Sequence, residues 1–118
     1  MKLKVYVYKN CDTCRKALKF LDKHGIAHEA IPIRETPPSQ EELRRMLQVQ
    51  SGNLRSLFNT SGGDYKTLGM KDRLPSISDE EAIALLASNG NLVKRPFVIS
   101  KDFALIGFNE ETWKTTLL

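Results

Sequence analysis

The stretch Lys2-Leu3-Lys4-Val5-Tyr6-Val7-Tyr8-Lys9-Asn10-Cys11-Asp12-Thr13-Cys14-Arg15-Lys16-Ala17-Leu18 decides the fold. Residues 2–8 alternate and are rich in Val and Tyr, which predicts a strand. A short polar turn around Asn10 follows, and Asp12 or Thr13 then offers a side-chain acceptor to cap a helix. Ala17, Leu18, Phe20 and Leu21 fall mostly on one face of that helix, which runs to about His24, with Gly25 as a natural stop. A second short strand is predicted over residues 27–33, and a right-handed crossover would lay it parallel to the first.

Downstream the signal turns helical. Ser39 with Glu42 three residues later is a capping-box pattern, and Leu43, Met46, Leu47 and Val49 supply the buried stripe of the helix it opens. Between Gly52 and Leu74 the pattern is broken: Leu54, Leu57 and Phe58 suggest one or two helical turns, Gly62-Gly63 a turn, and residues 64–68 a short helix. Ser78, followed by Asp79-Glu80-Glu81, caps a helix reaching about Ser88, with its acids at the favourable end of the dipole. Asn89-Gly90-Asn91 ends it. Residues 96–99 and 104–106 read as two strands joined by a Lys101-Asp102 turn, and a last helix starts near Asn109. No repeat or linker divides the chain, so the expectation is one domain over residues 1–118: an α/β fold on a mixed sheet flanked by helices, with a helical insertion over about residues 39–88.

Composition narrows the class. At 118 residues, 41% hydrophobic and 27% charged, the chain has ordinary globular usage, which argues against disorder. No apolar run approaches the roughly 18 residues of a membrane span, and the charged, short N-terminal run is the wrong build for a secretory signal. Both cysteines lie three apart near the start, where a secreted domain would spread several pairs as staples, so the expected location is cytoplasmic. The net charge of +4 comes from eighteen scattered basic residues among fourteen acids. With neither a recognition helix of clustered Arg and Lys nor an aromatic stacking platform, direct nucleic-acid binding is not expected. Trp113 reads as packed core.

Cys11-Asp12-Thr13-Cys14 carries the chemistry. At the end of a strand and the first turn of a helix, Cys11 meets unpaired backbone N–H groups and the positive end of the helix dipole, both of which favour a thiolate. Arg15 and Lys16 add positive charge to the same turn. Cys14, one helical turn along, is close enough to attack a sulfur adduct on Cys11 and close an intramolecular disulfide. Two other uses of the pair stay open on spacing alone. A zinc site would need His24 and His28, whose spacing is wrong for a compact finger, and two core cysteines without chemistry would sit at an unusual place for burial.

Four segments together extend the reading: Tyr8-Lys9-Asn10-Cys11-Asp12-Thr13-Cys14-Arg15-Lys16-Ala17, Arg34-Glu35-Thr36-Pro37-Pro38-Ser39, Leu57-Phe58-Asn59-Thr60-Ser61-Gly62 and Lys94-Arg95-Pro96-Phe97. They resemble the glutaredoxin-like arsenate reductase family, most closely its Spx-related branch. The resemblance implies a thioredoxin-like core with a helical insertion. It also implies a cis peptide bond at Pro96 facing the thiols, Arg95 directed at Cys11, and Cys11 as nucleophile. Asn10, Arg15, Arg55 and Pro96 would line the substrate site, with Arg55 as the first and Arg95 as the second of the three arginines that arsenate enzymes carry. No arginine stands at the third position, near Ile106-Gly107-Phe108, and Cys14 stands where those enzymes have a serine or similar small residue.

Both departures weaken arsenate as substrate and favour a thiol–disulfide cycle. The expected partner is then a small-molecule thiol or an oxidised protein, with no resident cofactor and with glutathione or a thioredoxin system as reductant. The alternative implied by the resemblance is a redox-responsive regulator that binds the RNA polymerase alpha subunit. Under it Gly52 could permit close approach of that partner, although Gly52 also reads as a helix C-cap. Against it stands the short stretch after Trp113, since Spx itself is somewhat longer.

Overall fold

Four strands hydrogen-bond into one mixed sheet in the order β2-β1-β3-β4. They are β1 (Leu3–Val7), β2 (His28–Pro32), β3 (Phe97–Ile99) and β4 (Ala104–Ile106). The computed structural model describes residues 3–118, so the expected start of β1 at Lys2 lies outside the described residues. β1 and β2 run parallel, with Val5 opposite Ala30, as the crossover through the first helix requires. β3 is antiparallel to β1, with Val5 opposite Val98, and β4 returns antiparallel to β3 after the turn at Lys101 and Asp102.

Because side chains alternate across a strand, the sheet has two separate apolar faces. Leu3, Val5, Val98 and Leu105 pack with Ala17, Phe20 and Leu21 of α1 (Asp12–Lys23) and Trp113 of α6 (Glu110–Leu117). Tyr6, Phe97, Ile99 and Ala104 point the other way and pack under the helical insertion. This is an α/β architecture with helices on both faces.

The insertion holds α2 (Gln40–Val49), α3 (Gly63–Thr67), α4 (Met70–Arg73) and α5 (Asp79–Ser88), with single 3-10 turns at Leu54–Leu57, Leu74–Ser76 and Gly90–Leu92. α2 begins on a complete capping box, Ser39 with Glu42, as the sequence predicts, and α5 begins on the predicted Ser78 cap, which Glu81 completes as a second box. Gly62 precedes α3 and Gly63 is its first residue, so the glycine pair opens a helix instead of forming a separate turn. α4 has no apolar period of its own; it is held by Met70, which is fully buried. Gly90 is required by close approach: a Cβ there would meet the Ile33 carbonyl oxygen at 1.8 Å, where the end of the insertion passes over the chain leaving β2. No helix of the described residues is long and apolar enough to cross a membrane.

The start of α1 departs from expectation. Its N-cap is Cys11, in extended backbone at φ −105° and ψ 113°, and not Asp12 or Thr13, which are already helical. The Cys11 sulfur itself accepts the Cys14 N–H at 3.2 Å. The sulfur therefore takes the role that an oxygen fills at most helix starts. Gly25, at φ +65°, stops the helix in the left-handed conformation open to glycine.

Candidate active site

The turn after β1 is closed by the Cys11 N–H donating to the Tyr8 carbonyl at 3.1 Å, and the Arg15 N–H donating to the Cys11 carbonyl at 3.1 Å starts the helix ladder. Cys11 is thereby held half-exposed at the rim, while Cys14, one turn along, is only 1% exposed beneath it. Burial, first, and then the hydrogen bond and charge of Cys11 push the Cys14 thiol up to about 12; Tyr8 backbone and Arg95 oppose this. At neutral pH Cys14 therefore keeps its proton while Cys11 faces solvent.

Cys11 and Thr13 form one wall of a cleft of about 500 Å³. Asn59 and Ser61 from the insertion, Lys94 and Arg95 before β3, and the segment 106–109 after β4 form the rest. Distant segments meet there for a definite reason. The Asn59 N–H donates to the Leu92 carbonyl at 2.7 Å, the Lys94 N–H donates to the Leu57 carbonyl at 2.9 Å, and Phe58 bridges Val93 as an isolated antiparallel pair. That bridge draws residues 59–61 and 94–95 to one side of the thiol.

Arg95 enters the cleft next to a cis peptide bond at Pro96, as the resemblance implies. Its guanidinium lies 4.8 Å from the centre of the Tyr8 ring, and Arg34 lies 5.2 Å from the same ring and donates to the Tyr8 hydroxyl at 3.1 Å. Hydrogen bonding from Asn10, then from Arg34, draws the Tyr8 phenol below its ordinary value. The Arg95 Nη1 is buried and has no acceptor among the described residues. A buried, charged donor without an acceptor is costly, and it is the kind of group that an incoming oxygen would satisfy.

The other expected contacts are not brought together. Arg55 sits in the Leu54–Leu57 turn and lines a separate depression with Gly52, Tyr65 and Lys71. Next to the 58–93 bridge it is residue 59, not 55, that lines the thiol cleft, so an asparagine stands where an arginine was expected. Arg15 folds back on Asp12 and donates to the Lys9 carbonyl at 3.2 Å, and Asn10 donates to the Tyr8 hydroxyl at 3.4 Å; neither lines the cleft. Gly52, at φ +80°, donates to the Leu47 carbonyl at 2.9 Å and closes the end of α2, in line with its C-cap reading.

Asn59, Ser61, Lys94 and Asn109 belong to the cleft, yet periodicity and spacing did not single them out. The signal for three of them was in hand, because Asn59, Ser61 and Lys94 fall inside the segments that carry the resemblance. The His24 ring packs at a tilt against Phe20, with ring centres 4.5 Å apart, and His28 faces Asp22 at 3.8 Å, while no three His, Cys, Asp or Glu side chains converge as metal ligands among the described residues.

Comparison with known proteins agrees with this arrangement. The chain is 41% identical over 114 residues to the uncharacterized protein YusI of Bacillus subtilis, covering 97% of each. The global transcriptional regulator Spx of Streptococcus agalactiae is 28% identical over 107 residues, covering 91% of this chain and 77% of Spx. Among solved structures, a protein of Streptococcus mutans described as a possible arsenate reductase superposes with a TM-score of 0.87 at 38% identity, covering 95% of this chain and 97% of that one. The ArsC family model matches residues 6–116, nearly the whole length over which the thiol turn, the insertion and the Arg95-Pro96 segment are spread, and the chain belongs to the ArsC family, in its thioredoxin-like branch.

Proposed function

We propose that this protein is a thiol–disulfide oxidoreductase in which Cys11 is the nucleophile and Cys14 the resolving thiol. The observation that carries the reading is the vertical pair itself: a half-exposed sulfur in a cleft, accepting the backbone N–H of a second cysteine that is buried and protonated below it. The Cys11 thiolate attacks one sulfur of a substrate disulfide. A Cys11–sulfur bond forms, the substrate bond breaks, and the leaving thiolate takes a proton from water.

Formation of this mixed disulfide removes the charge and the hydrogen-bonding partner that help hold the Cys14 proton. Cys14 then loses its proton to water and attacks the Cys11 sulfur. The second substrate thiolate leaves, and a Cys11–Cys14 disulfide remains. Two molecules of glutathione, oxidised to their disulfide, restore both thiols. Arg95, with its unsatisfied donor, is suited to hold a carboxylate or carbonyl oxygen of the substrate. The cycle requires no resident cofactor, and a glutathione reductant suits a cytoplasmic protein.

Arsenate is the weaker substrate. Arg95 and Lys94 supply two cations, but Asn59 and the segment 106–109 offer no further arginine. Each missing charge-assisted contact costs roughly 1.5–3 kcal/mol in oxyanion binding.

Reduction of a small neutral disulfide by glutathione tests the proposal. Cys11→Ser is expected to abolish turnover, and Cys14→Ser to accumulate a mixed disulfide visible by mass analysis. Equal turnover in both variants and the parent would reject it. A regulator that binds RNA polymerase is the second reading, favoured by the likeness to Spx over 91% of this chain. Capture by the C-terminal domain of the polymerase alpha subunit in one redox state only, without disulfide turnover, would select it.

A further inference from the structure

The geometry points to a docking surface for an acidic protein segment on the outer face of α1, beside the thiol cleft; the inference rests on the thiol–disulfide reading and names its substrate class. Lys16, Lys19 and Lys23 lie three and four residues apart, so they form one row along the helix that begins at Cys11. All three are exposed, and none has an ion-pair partner among the described residues. With Lys114 of α6 they surround a depression of about 350 Å³.

Its only carboxylate is Glu110, which pairs with Lys114 at 3.3 Å. The nearby acids of α1 are turned elsewhere, Asp12 to Arg15 and Asp22 to His28. Four lysines against one glutamate leave three positive charges of excess, against +4 for the whole chain. Lys23, in the last turn, complements the helix dipole, but Lys16 and Lys19 lie N-terminal to that turn, and like charges on successive turns repel and weaken a helix.

Phe108 makes the surface continuous with the chemistry, because it borders both this depression and the Cys11 cleft. A segment lying along the row can thus place a flanking disulfide over Cys11. The residue types favour acidic protein over other polyanions. The patch holds lysines but no arginine fork for phosphate; of its rings, Phe20 is buried, and Phe108 and His24 are half-buried and packed against Phe20, so it presents no row of exposed rings on which successive bases stack. Among the described residues the exposed large apolar side chains, Val49, Leu68 and Leu118, do not line it, so it offers no exposed apolar anchor to a bilayer.

Peptide disulfides test this directly. A short peptide with a central cysteine flanked by Asp and Glu, dimerised through its disulfide, is compared with a glutamine-flanked counterpart. At low salt the acidic disulfide is expected to be reduced roughly tenfold faster. The advantage should vanish near ~0.2 M salt, where charges are screened beyond about 8 Å. It should also vanish in the double variant Lys19→Gln, Lys23→Gln, which reduces the glutamine-flanked disulfide at the parent rate. Equal rates for the two disulfides in the parent, or an advantage that survives in the variant, overturn the docking surface and leave the exchange reading standing.

Should neither disulfide be reduced, the exchange reading fails by itself, and binding decides the surface. In that arm the acidic peptide with serine in place of cysteine is titrated by fluorescence anisotropy. Binding by the parent that is lost in the variant supports the surface, and equal binding removes it. Tighter binding of a single-stranded RNA or of phosphatidylserine vesicles at the same salt also overturns it, as a site for polyanions at large.

Discussion

Helices α2 and α5 start on closed capping boxes, in which a serine oxygen accepts one backbone N–H and a glutamate reaches back to another. Helix α1 starts on a sulfur that accepts one N–H at 3.2 Å, and its third residue is Cys14, which cannot reach back as a glutamate does. Sulfur is a weaker acceptor than a hydroxyl or carboxylate oxygen. The two long helices of the insertion, α2 and α5, therefore gain stability at their starts, whereas α1 leaves its start reactive. Glu42 shows how far the first kind goes. Burial raises its carboxyl, but the Ser39 N–H, the Tyr6 hydroxyl at 2.7 Å and the Lys4 ammonium at 3.2 Å together hold it below its ordinary value. One side chain thus ties β1 to the first turn of α2.

The contrast can be broken at several points. The largest effect on stability is expected at Glu42→Ala, which removes the reach-back of the capping box and leaves the Tyr6 hydroxyl unpaired: about 2–3 kcal/mol by urea unfolding. Acid should imitate it. A carboxyl held below its ordinary value contributes stability above its unfolded pKa, and that stability is lost as pH falls through the folded one. The parent should accordingly lose more stability than Glu42→Gln between neutral pH and the acid range.

Ser78→Ala removes the same kind of cap without a tie to the sheet and is expected to cost about 1 kcal/mol. Cys11→Ser is the sharpest test of the comparison, because it should raise stability by about 0.5–1 kcal/mol while abolishing turnover. Serine is a preferred N-cap, and only the sulfur chemistry is lost. A destabilised Cys11→Ser would show that the sulfur is held by packing and not by its place at the helix start.

Alkali probes the buried partner, through a difference in slope. The Cys14 thiol is raised from 9.0 to about 12 in the folded chain, so it keeps its proton where the unfolded chain loses it. Its contribution is complete below about pH 9 and declines as pH rises toward 12. Measured in urea, stability should fall more steeply over that range in the parent than in Cys14→Ala.

Much of this molecule was determined locally and could be read from its residues. Alternation in β1, the Ser39 capping box, the Ser78 cap, Gly25 and the Cys-x-x-Cys spacing each depend on a few neighbours in the chain, and so each appears where the residues put it. The insertion between Gly52 and Leu74 was legible only in part. Its short helices are held by burial of single residues such as Met70 and Tyr65, and two turns are too short to show a period.

The cleft was the least legible part, although one of its walls is the most recognisable stretch of the sequence. Cys11 and Arg95 could be named from their motifs, but that residue 59 and not 55 lines the cleft goes with the Phe58–Val93 bridge, thirty-five positions apart in the chain. The sequence alone determined which atoms can do chemistry, since a thiol at a helix start is a property of neighbouring residues. Only the tertiary structure decided what surrounds them, because the partners of that thiol come from β3, β4 and the insertion, whose meeting depends on sheet order and on long-range pairing.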